Sequence, residues 1–261
     1  MTAPSATAGG DVVDALAAQQ AELLDLVAGR TEEDLRRPTR CVGWTATDVL
    51  LHLAQTNEAA VASVEGRLGE FSLGGVDGVE ATDVDELADL AVRAEATSSP
   101  GEVRERWSAS AAAQEAGFRA VDPHARVLWV EGELAARSLA STRLSETWIH
   151  TVDVASAFGV TPEPTDRLWH VARLAWRTVP YAFARAGREL HGPVAFELTG
   201  PDGSAWSFTP DVAAGPAATV VRGSAAELCE VAGQRADAAD TDLTAEGPDA
   251  GAVLALVRTF A

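Results

Sequence analysis

The segment ETWIHTVD places three chemically active side chains at helical spacing. Glu146, His150 and Asp153 stand at i, i+4 and i+7, so a helix would project all three from one face. The residues between them are largely apolar, so this face should lie close to a buried surface, where ionised groups need compensation. A divalent cation provides that compensation. Glu146 and His150, one turn apart, would give it two ligands from one rigid helix.

A second histidine, His52, lies in the segment GWTATDVLLHLA, which also has helical periodicity. Taken alone, a histidine on such a helix is usually exposed or satisfied within a core, and a Glu-x3-His pair is a weak pattern. Together, His52, Glu146 and His150 offer two imidazoles and one carboxylate, a set that leaves coordination positions open and is typical of a catalytic metal. Zn2+ suits these ligands, with Fe2+, Ni2+ and Mn2+ as alternatives.

Three further residues lie near these candidate ligands in the sequence. Arg143 either forms an i,i+3 salt bridge on the helix surface or points inward, where it would hold a substrate carboxylate with two hydrogen bonds. Asp153 either orients a ligand histidine or accepts protons as a base. For Cys41, which precedes a Trp-bearing turn, we expect a small buried hydrophobic side chain rather than a thiol at the site.

The composition excludes several classes of function. The 261 residues include 20 basic and 39 acidic side chains and carry a net charge of −19, which disfavours nucleic acid and anionic membranes as partners. Two cysteines without repeated spacing predict neither a disulfide framework nor a thiolate zinc site. No apolar run reaches the roughly 18 residues of a membrane span, and no leader pattern begins the sequence. We therefore expect a cytoplasmic monomer or homodimer whose partner is a small-molecule substrate.

The candidate ligands belong to a part of the chain that is predicted to be helical. Residues 1–10 are small and polar, and we expect a disordered tail. Residues 70–100 form a connection with one acidic helical stretch. Thr45 is a plausible N-cap and Gly159 a plausible C-cap. Helical periodicity is found in residues 12–29, 45–69, 101–121, 138–158 and, after Thr165, 166–187.

The periodicity changes after Gly192. The segments PVAFELTG and SAWSFTP alternate apolar and polar residues around the turn PDG, which predicts a β-hairpin. ATVVRG predicts a third strand, and two short helices follow. We therefore predict a mainly α protein, with an up-and-down four-helix bundle over residues 11–190 and a small α+β domain over residues 191–261.

Several of these segments resemble the DinB-like superfamily. GWTATDVLLHLA, with RRPTRC before it, resembles the metal-binding helix of the mycothiol-dependent maleylpyruvate isomerase branch, and TRLSETWIHTVDVASAFG resembles its second ligand segment. TDRLWHVARLAWRTVPYAFA, FELTGPDGSAWSF and LCEVAGQRADAADTDL are similar to an actinobacterial metal-binding subfamily. The resemblance implies a DinB-like bundle that carries a divalent metal, usually zinc, on His52, Glu146 and His150. It also implies a low-molecular-weight thiol such as mycothiol as a co-substrate.

We expect a divalent-metal-dependent isomerase or thiol transferase that acts on a small acidic or carbonyl-containing molecule, such as one modified in secondary metabolism. In this hypothesis the metal is held by His52, Glu146 and His150, Asp153 is catalytic and Arg143 binds substrate. Two alternatives stay open. One is a metal-dependent hydrolase, and the other is a non-catalytic protein that binds a small molecule.

Overall fold

The computed structural model describes residues 9–71, 84–130, 132–211, 213 and 215–259. Most of the predicted disordered tail, and residues 72–83 of the predicted connection, lie outside these ranges. The described residues form two compact units. The first, here the helical unit, comprises residues 16–143 and 150–162, and the second, here the sheet unit, comprises the rest, including residues 144–149 and 163–261.

Helices α1 to α6 make up most of the helical unit. They are α1 (Val12–Val27), α2 (Glu32–Leu35), α3 (Ala46–Val64), α4 (Val84–Ala94), α5 (Pro100–Ala120) and α6 (Ala136–Ala157). An antiparallel hairpin of β1 (Arg126–Trp129) and β2 (Gly132–Ala135) precedes α6. The sequence patterns located the long helices, but they missed the one-turn helix α2 and this hairpin, which are too short to show a periodicity.

Helix α3 begins at a capping box. The Thr45 side chain accepts a hydrogen bond from the backbone N–H of Asp48, and the Asp48 carboxylate accepts one from the Thr45 N–H, so two otherwise unsatisfied donors are paired. Thr45 is therefore the N-cap, as predicted. Helix α5 begins in the same way at Ser99 and Glu102, with a proline at its first position. These caps set the start of the helices that frame the bundle.

The core of the helical unit is built around α3. This helix packs along α5, and it is buried on most of its circumference, as expected for a helix at the centre of a bundle. Its neighbours Leu23, Trp107 and Val154 come from α1, α5 and α6. Each buried leucine of this core contributes about 1.5–3 kcal/mol. Close packing therefore restricts the positions of the side chains on α3.

A layer of buried polar side chains crosses the same unit. Gln20 Nε2 donates to Gln114 Oε1 at 2.9 Å, and Gln114 Nε2 donates to Asn57 Oδ1 at 2.9 Å. Asn57 Nδ2 completes the chain with Ser110 Oγ at 3.3 Å. These bonds join α1, α5 and α3. Because buried amides are costly to leave without partners, the layer fixes the relative positions of the three helices.

The sheet unit contains the C-terminal elements. Its sheet has the order β4-β3-β5-β6, in which β3 and β4 form the predicted hairpin, β5 is parallel to β3 and β6 is antiparallel to β5. The strand β6 was not predicted. The elements are α7 (Leu168–Arg185), β3 (Val194–Thr199), β4 (Ala205–Phe208), β5 (Thr219–Ser224), α8 (Ala225–Ala232), β6 (Thr244–Glu246) and α9 (Ala250–Leu256).

Helix α7 belongs to the sheet unit by its contacts. Its Val171 and Phe183 share one apolar cluster with Phe196 of β3 and Leu228 of α8. It begins at Leu168 rather than directly after Thr165 and continues through Pro180. The mainly α fold with a small C-terminal sheet is confirmed, while a domain boundary near residue 190 stays a prediction. None of the described helices is both long and apolar enough to cross a membrane.

Candidate metal centre

Helices α3 and α6 bring the three predicted ligands together. One ligand atom from each of His52, Glu146 and His150 lies within 4.8 Å of the other two. The two imidazole rings stand edge to face with 5.1 Å between their centroids. Both histidines are more than nine-tenths buried. Two imidazoles and one carboxylate, gathered in this way, fit the donor chemistry of a zinc-type divalent cation.

Asp153 contacts the imidazole ring of His150 at Nδ1. Nδ1 of His150 lies 3.0 Å from Oδ2 of Asp153, and Asp153 is fully buried. An ionised carboxylate can only accept a hydrogen bond, so the proton of the contact belongs to Nδ1. The lone pair of Nε2 is then available to a cation. This carboxylate–histidine contact is the usual way of orienting a metal ligand.

Cys41 also contacts this pair, and our expectation for it was wrong. Its thiol donates to Asp153 Oδ2 at 3.1 Å and lies 4.0 Å from Nδ1 of His150. It is half-buried and polar in its contacts, rather than a small buried hydrophobic side chain. The partners are more than 100 residues away in the sequence, so only the tertiary fold shows that Cys41 belongs to the site.

The indole ring of Trp44 packs beside the imidazole ring of His52. Their ring centroids are 5.2 Å apart and the ring planes are tilted by 51°. The indole N–H of Trp44 donates to Oδ1 of Asp89 in α4 at 3.1 Å. This bond, followed by one from Arg93, holds the pKa of Asp89 below its usual value. Helix α4, part of the connection between α3 and α5, therefore fixes an aromatic side chain of the site.

Arg143 points into the helical unit. Its side chain is fully buried, which excludes the helix-surface salt bridge. Nη2 donates to Thr56 Oγ1 at 2.8 Å and to Asn57 Oδ1 at 3.2 Å. Asn57 in turn belongs to the buried polar layer, so the guanidinium is fixed by α3. Along α6, Arg143 stands one turn before Glu146 and two turns before His150.

Two other histidines, His170 and His191, have hydrogen-bond partners within the sheet unit. Nε2 of His170 lies 2.9 Å from the carbonyl oxygen of Gly9, and burial lowers the pKa of His170. Nδ1 of His191 lies 2.7 Å from Oδ1 of Asp249, and this contact lowers the pKa of Asp249. Asp249 follows His191 by 58 residues. Sequence spacing therefore gave no sign of this pair.

The comparison with known structures concerns the fold. The crystal structure of the mycothiol-dependent maleylpyruvate isomerase matches 92% of this chain and 94% of its own, with a TM-score of 0.57 and 18% sequence identity. A crystal structure of a histidine-to-alanine mutant of that enzyme matches the same shares, with a TM-score of 0.58 and 17% identity. At this level of identity the match establishes the shared fold.

The comparison of sequences establishes the family. An uncharacterized protein of Mycobacterium tuberculosis, found in strains CDC 1551 / Oshkosh and ATCC 25618 / H37Rv, is 32% identical over 253 residues, which are 97% of this chain and 96% of the relative. The family model of the mycothiol maleylpyruvate isomerase N-terminal domain matches residues 16–155. That range includes α3 and nearly all of α6, with every candidate ligand. The chain belongs to the mycothiol maleylpyruvate isomerase family.

Proposed function

We propose that this protein is a divalent-metal-dependent enzyme of the isomerase or thiol-transferase type. Its substrate would be a small acidic or carbonyl-containing molecule, and its co-substrate a low-molecular-weight thiol such as mycothiol. One observation carries the proposal: two histidines and one carboxylate from α3 and α6 converge within 4.8 Å in a largely buried place. Three ligands of this kind leave room for a reacting molecule.

In the proposal, His52, Glu146 and His150 hold the cation, most suitably Zn2+. A bound divalent cation supplies Lewis acidity, which polarises a carbonyl group and favours the thiolate form of a thiol. The protein contributes rigidity, because α3 is packed on most of its circumference and His150 is fixed by Asp153. A site held in this way loses little order when the substrate binds.

Asp153 and Arg143 have separate tasks in the proposal. Asp153 handles protons, since its carboxylate accepts hydrogen bonds from Nδ1 of His150 and from the Cys41 thiol. Arg143 provides a fixed positive charge on the face of α6 that carries Glu146 and His150. A chain with a net charge of −19 repels anions at long range, so an acidic substrate needs such a local positive charge.

The family gives the first substrate to test. The neighbouring structure is that of a mycothiol-dependent maleylpyruvate isomerase, so maleylpyruvate and mycothiol are the natural probes. We expect the metal-loaded full chain to isomerise maleylpyruvate, or a related unsaturated oxo acid, only when the thiol is present. Removal of the metal with a chelator should abolish turnover, and restoring Zn2+ should recover it.

Histidine variants separate the site from general effects. His150→Ala should lower turnover by about 100-fold or more, because it removes a ligand of the catalytic cation. His124→Ala is the matched control, since His124 is exposed near the end of α5. Equal turnover with and without metal, or full activity of His150→Ala, would contradict the proposal. Metal-dependent cleavage without a thiol would point to the hydrolase, and metal-independent binding without turnover to the binding protein.

A further inference from the structure

We propose that Cys41, His150 and Asp153 form a second cation position, which takes a thiol-binding divalent cation such as Zn2+ or Cd2+. One ligand atom from each of the three residues lies within 4.8 Å of the other two. His150 also belongs to the first set, with His52 and Glu146. The second position uses the opposite edge of the imidazole, because Nδ1 is the atom that faces Cys41 and Asp153.

The distances are close to those of a bound cation. For tetrahedral zinc, ligand bonds of about 2.3 Å to sulfur and 2.0–2.1 Å to nitrogen or oxygen imply that the donor atoms stand roughly 3.3–3.6 Å apart. The observed separations are 4.0 Å between Sγ and Nδ1, 3.1 Å between Sγ and Oδ2, and 3.0 Å between Nδ1 and Oδ2. Side-chain movements of about 0.5 Å would therefore bring all three donors into coordination.

The three donors are also held in place without a cation. His150 and Asp153 lie one turn apart on α6, in the buried interior. Cys41 lies in a closed loop, in which the Thr39 N–H donates to the Trp44 carbonyl at 2.9 Å and the Cys41 N–H donates to Thr39 Oγ1 at 3.2 Å. Gly43 allows the turn, with a φ of +86°. Cys41 itself is half-buried rather than buried, so this loop lies near the protein surface.

Cation binding replaces protons in this cluster. Without a cation, the S–H of Cys41 and the N–H of His150 both donate to the Asp153 carboxylate. When a divalent cation binds sulfur, Nδ1 and the carboxylate oxygen at the second position alone, the thiol proton leaves to solvent and the imidazole carries its proton on Nε2 instead of Nδ1. The thiolate and the carboxylate then balance the two positive charges of the cation. When both positions are filled, the imidazole proton also leaves to solvent and His150 bridges the two cations as an imidazolate. The sulfur selects zinc-type cations over Mg2+ or Ca2+ at the second position.

Cobalt(II) gives a direct test, because a cobalt–thiolate bond has a charge-transfer absorption band that nitrogen and oxygen ligands do not produce. The metal-stripped full chain is titrated with Co2+ and its absorption spectrum is recorded. We expect about two equivalents to bind, with the thiolate band growing during the second. Cys41→Ser should lose the band and bind the second equivalent at least about tenfold more weakly.

The other cysteine provides the matched control. Cys229 is fully buried in the sheet unit, where its thiol contacts the Leu168 carbonyl oxygen and burial raises its pKa. Cys229→Ser should therefore keep the cobalt–thiolate band. A band that survives in Cys41→Ser, or the absence of a band in the parent protein at excess Co2+, would overturn the proposal. The spectrum of the parent decides the question even if a variant is unstable.

A third variant separates this proposal from the proposed function. His52→Ala removes a ligand of the first set and leaves Cys41, His150 and Asp153 unchanged. We expect it to bind one equivalent of Co2+ fewer while still showing the thiolate band. A band in His52→Ala combined with metal-independent turnover in the parent would retain the second position and reject the metal-dependent enzyme. Loss of the band in His52→Ala, together with metal-dependent turnover in the parent, would reject the second position and retain the metal-dependent enzyme.

Discussion

Nδ1 of His150 donates a hydrogen bond to Oδ2 of Asp153 over 3.0 Å, one helical turn further along α6. The contact links the candidate metal ligand to a fully buried carboxyl group. It fixes the tautomer of His150 and the rotation of its ring. In the proposed site, the acidic and basic groups in ETWIHTVD would therefore have two roles, with Glu146 and His150 as ligands of the cation and Asp153 as the group that orients His150.

Replacing Asp153 should weaken cation binding without removing a ligand of the first set. Asp153→Asn can still contact Nδ1 of His150 but no longer carries the charge that raises the basicity of the imidazole. We expect the affinity for Zn2+ to fall by about 10- to 100-fold, measured by competition with a coloured chelator. Asp202→Asn, in an exposed turn of the sheet unit, is the control. An unchanged affinity in Asp153→Asn would exclude the orienting role.

Replacing Arg143 should affect the substrate rather than the metal. Arg143→Met keeps much of the buried volume but removes the positive charge and the hydrogen bonds to Thr56 and Asn57. Charge-assisted hydrogen bonds are worth about 1.5–3 kcal/mol, so we expect maleylpyruvate to bind at least about tenfold more weakly. Calorimetry measures the binding and elemental analysis the metal content, with exposed Arg36→Met as control. Arg143 has no role in substrate binding if the affinity is equal in parent and variant.

The capping box of α3 should contribute to stability. Thr45→Ala removes the side-chain acceptor for the Asp48 N–H at the start of the helix that carries His52. We expect the free energy of unfolding to fall by about 1 kcal/mol, measured by urea denaturation. Thr45→Ser, which keeps the hydroxyl that accepts from the Asp48 N–H and donates to the Asp48 carboxylate, should lose much less. Equal losses in both variants would show that the hydroxyl-to-backbone bond is not the cause.

His170 should make stability depend on pH. Burial lowers the pKa of His170 in the folded protein, so the unfolded chain binds a proton first as the pH falls below about 6.5. The contribution of the neutral imidazole is therefore complete above that pH and is lost as the pH falls towards the lowered pKa. Urea denaturation between pH 7.5 and about 5 should show a flatter profile for His170→Gln than for the parent, and an unchanged one for His124→Gln. Parallel profiles in all three proteins would contradict the assignment.

The main helices and the three candidate ligands were predictable because their signals are local. Residues of α3 and α6 repeat at helical spacing over many turns, and the cap at Thr45 is a pattern of four consecutive residues. The ligand pair Glu146 and His150 stands on one turn of one helix. Pairing these two residues with His52 required only that two helices of a bundle face each other.

The missed features depend on contacts between distant parts of the chain. Cys41 meets Asp153 across 112 positions, and Trp44 meets Asp89 across 45. For Arg143, the sequence left a surface salt bridge and an inward position open, and the choice between them depends on contacts with Thr56 and Asn57 on another helix. Strand β6 has three residues, and β1 and β2 have four residues each. Strands this short do not show a recognisable alternation of apolar and polar residues.

The metal content of the purified full chain tests the central claim most directly. After dialysis against a weak chelator, elemental analysis should find about one tightly bound divalent ion per chain, most of it zinc. His52→Ala and His150→Ala should each lose it, while His124→Ala, at an exposed histidine, should retain it. If His52→Ala and His150→Ala kept as much metal as the parent, or if the parent bound none when zinc was supplied, the metal centre on α3 and α6 would be wrong.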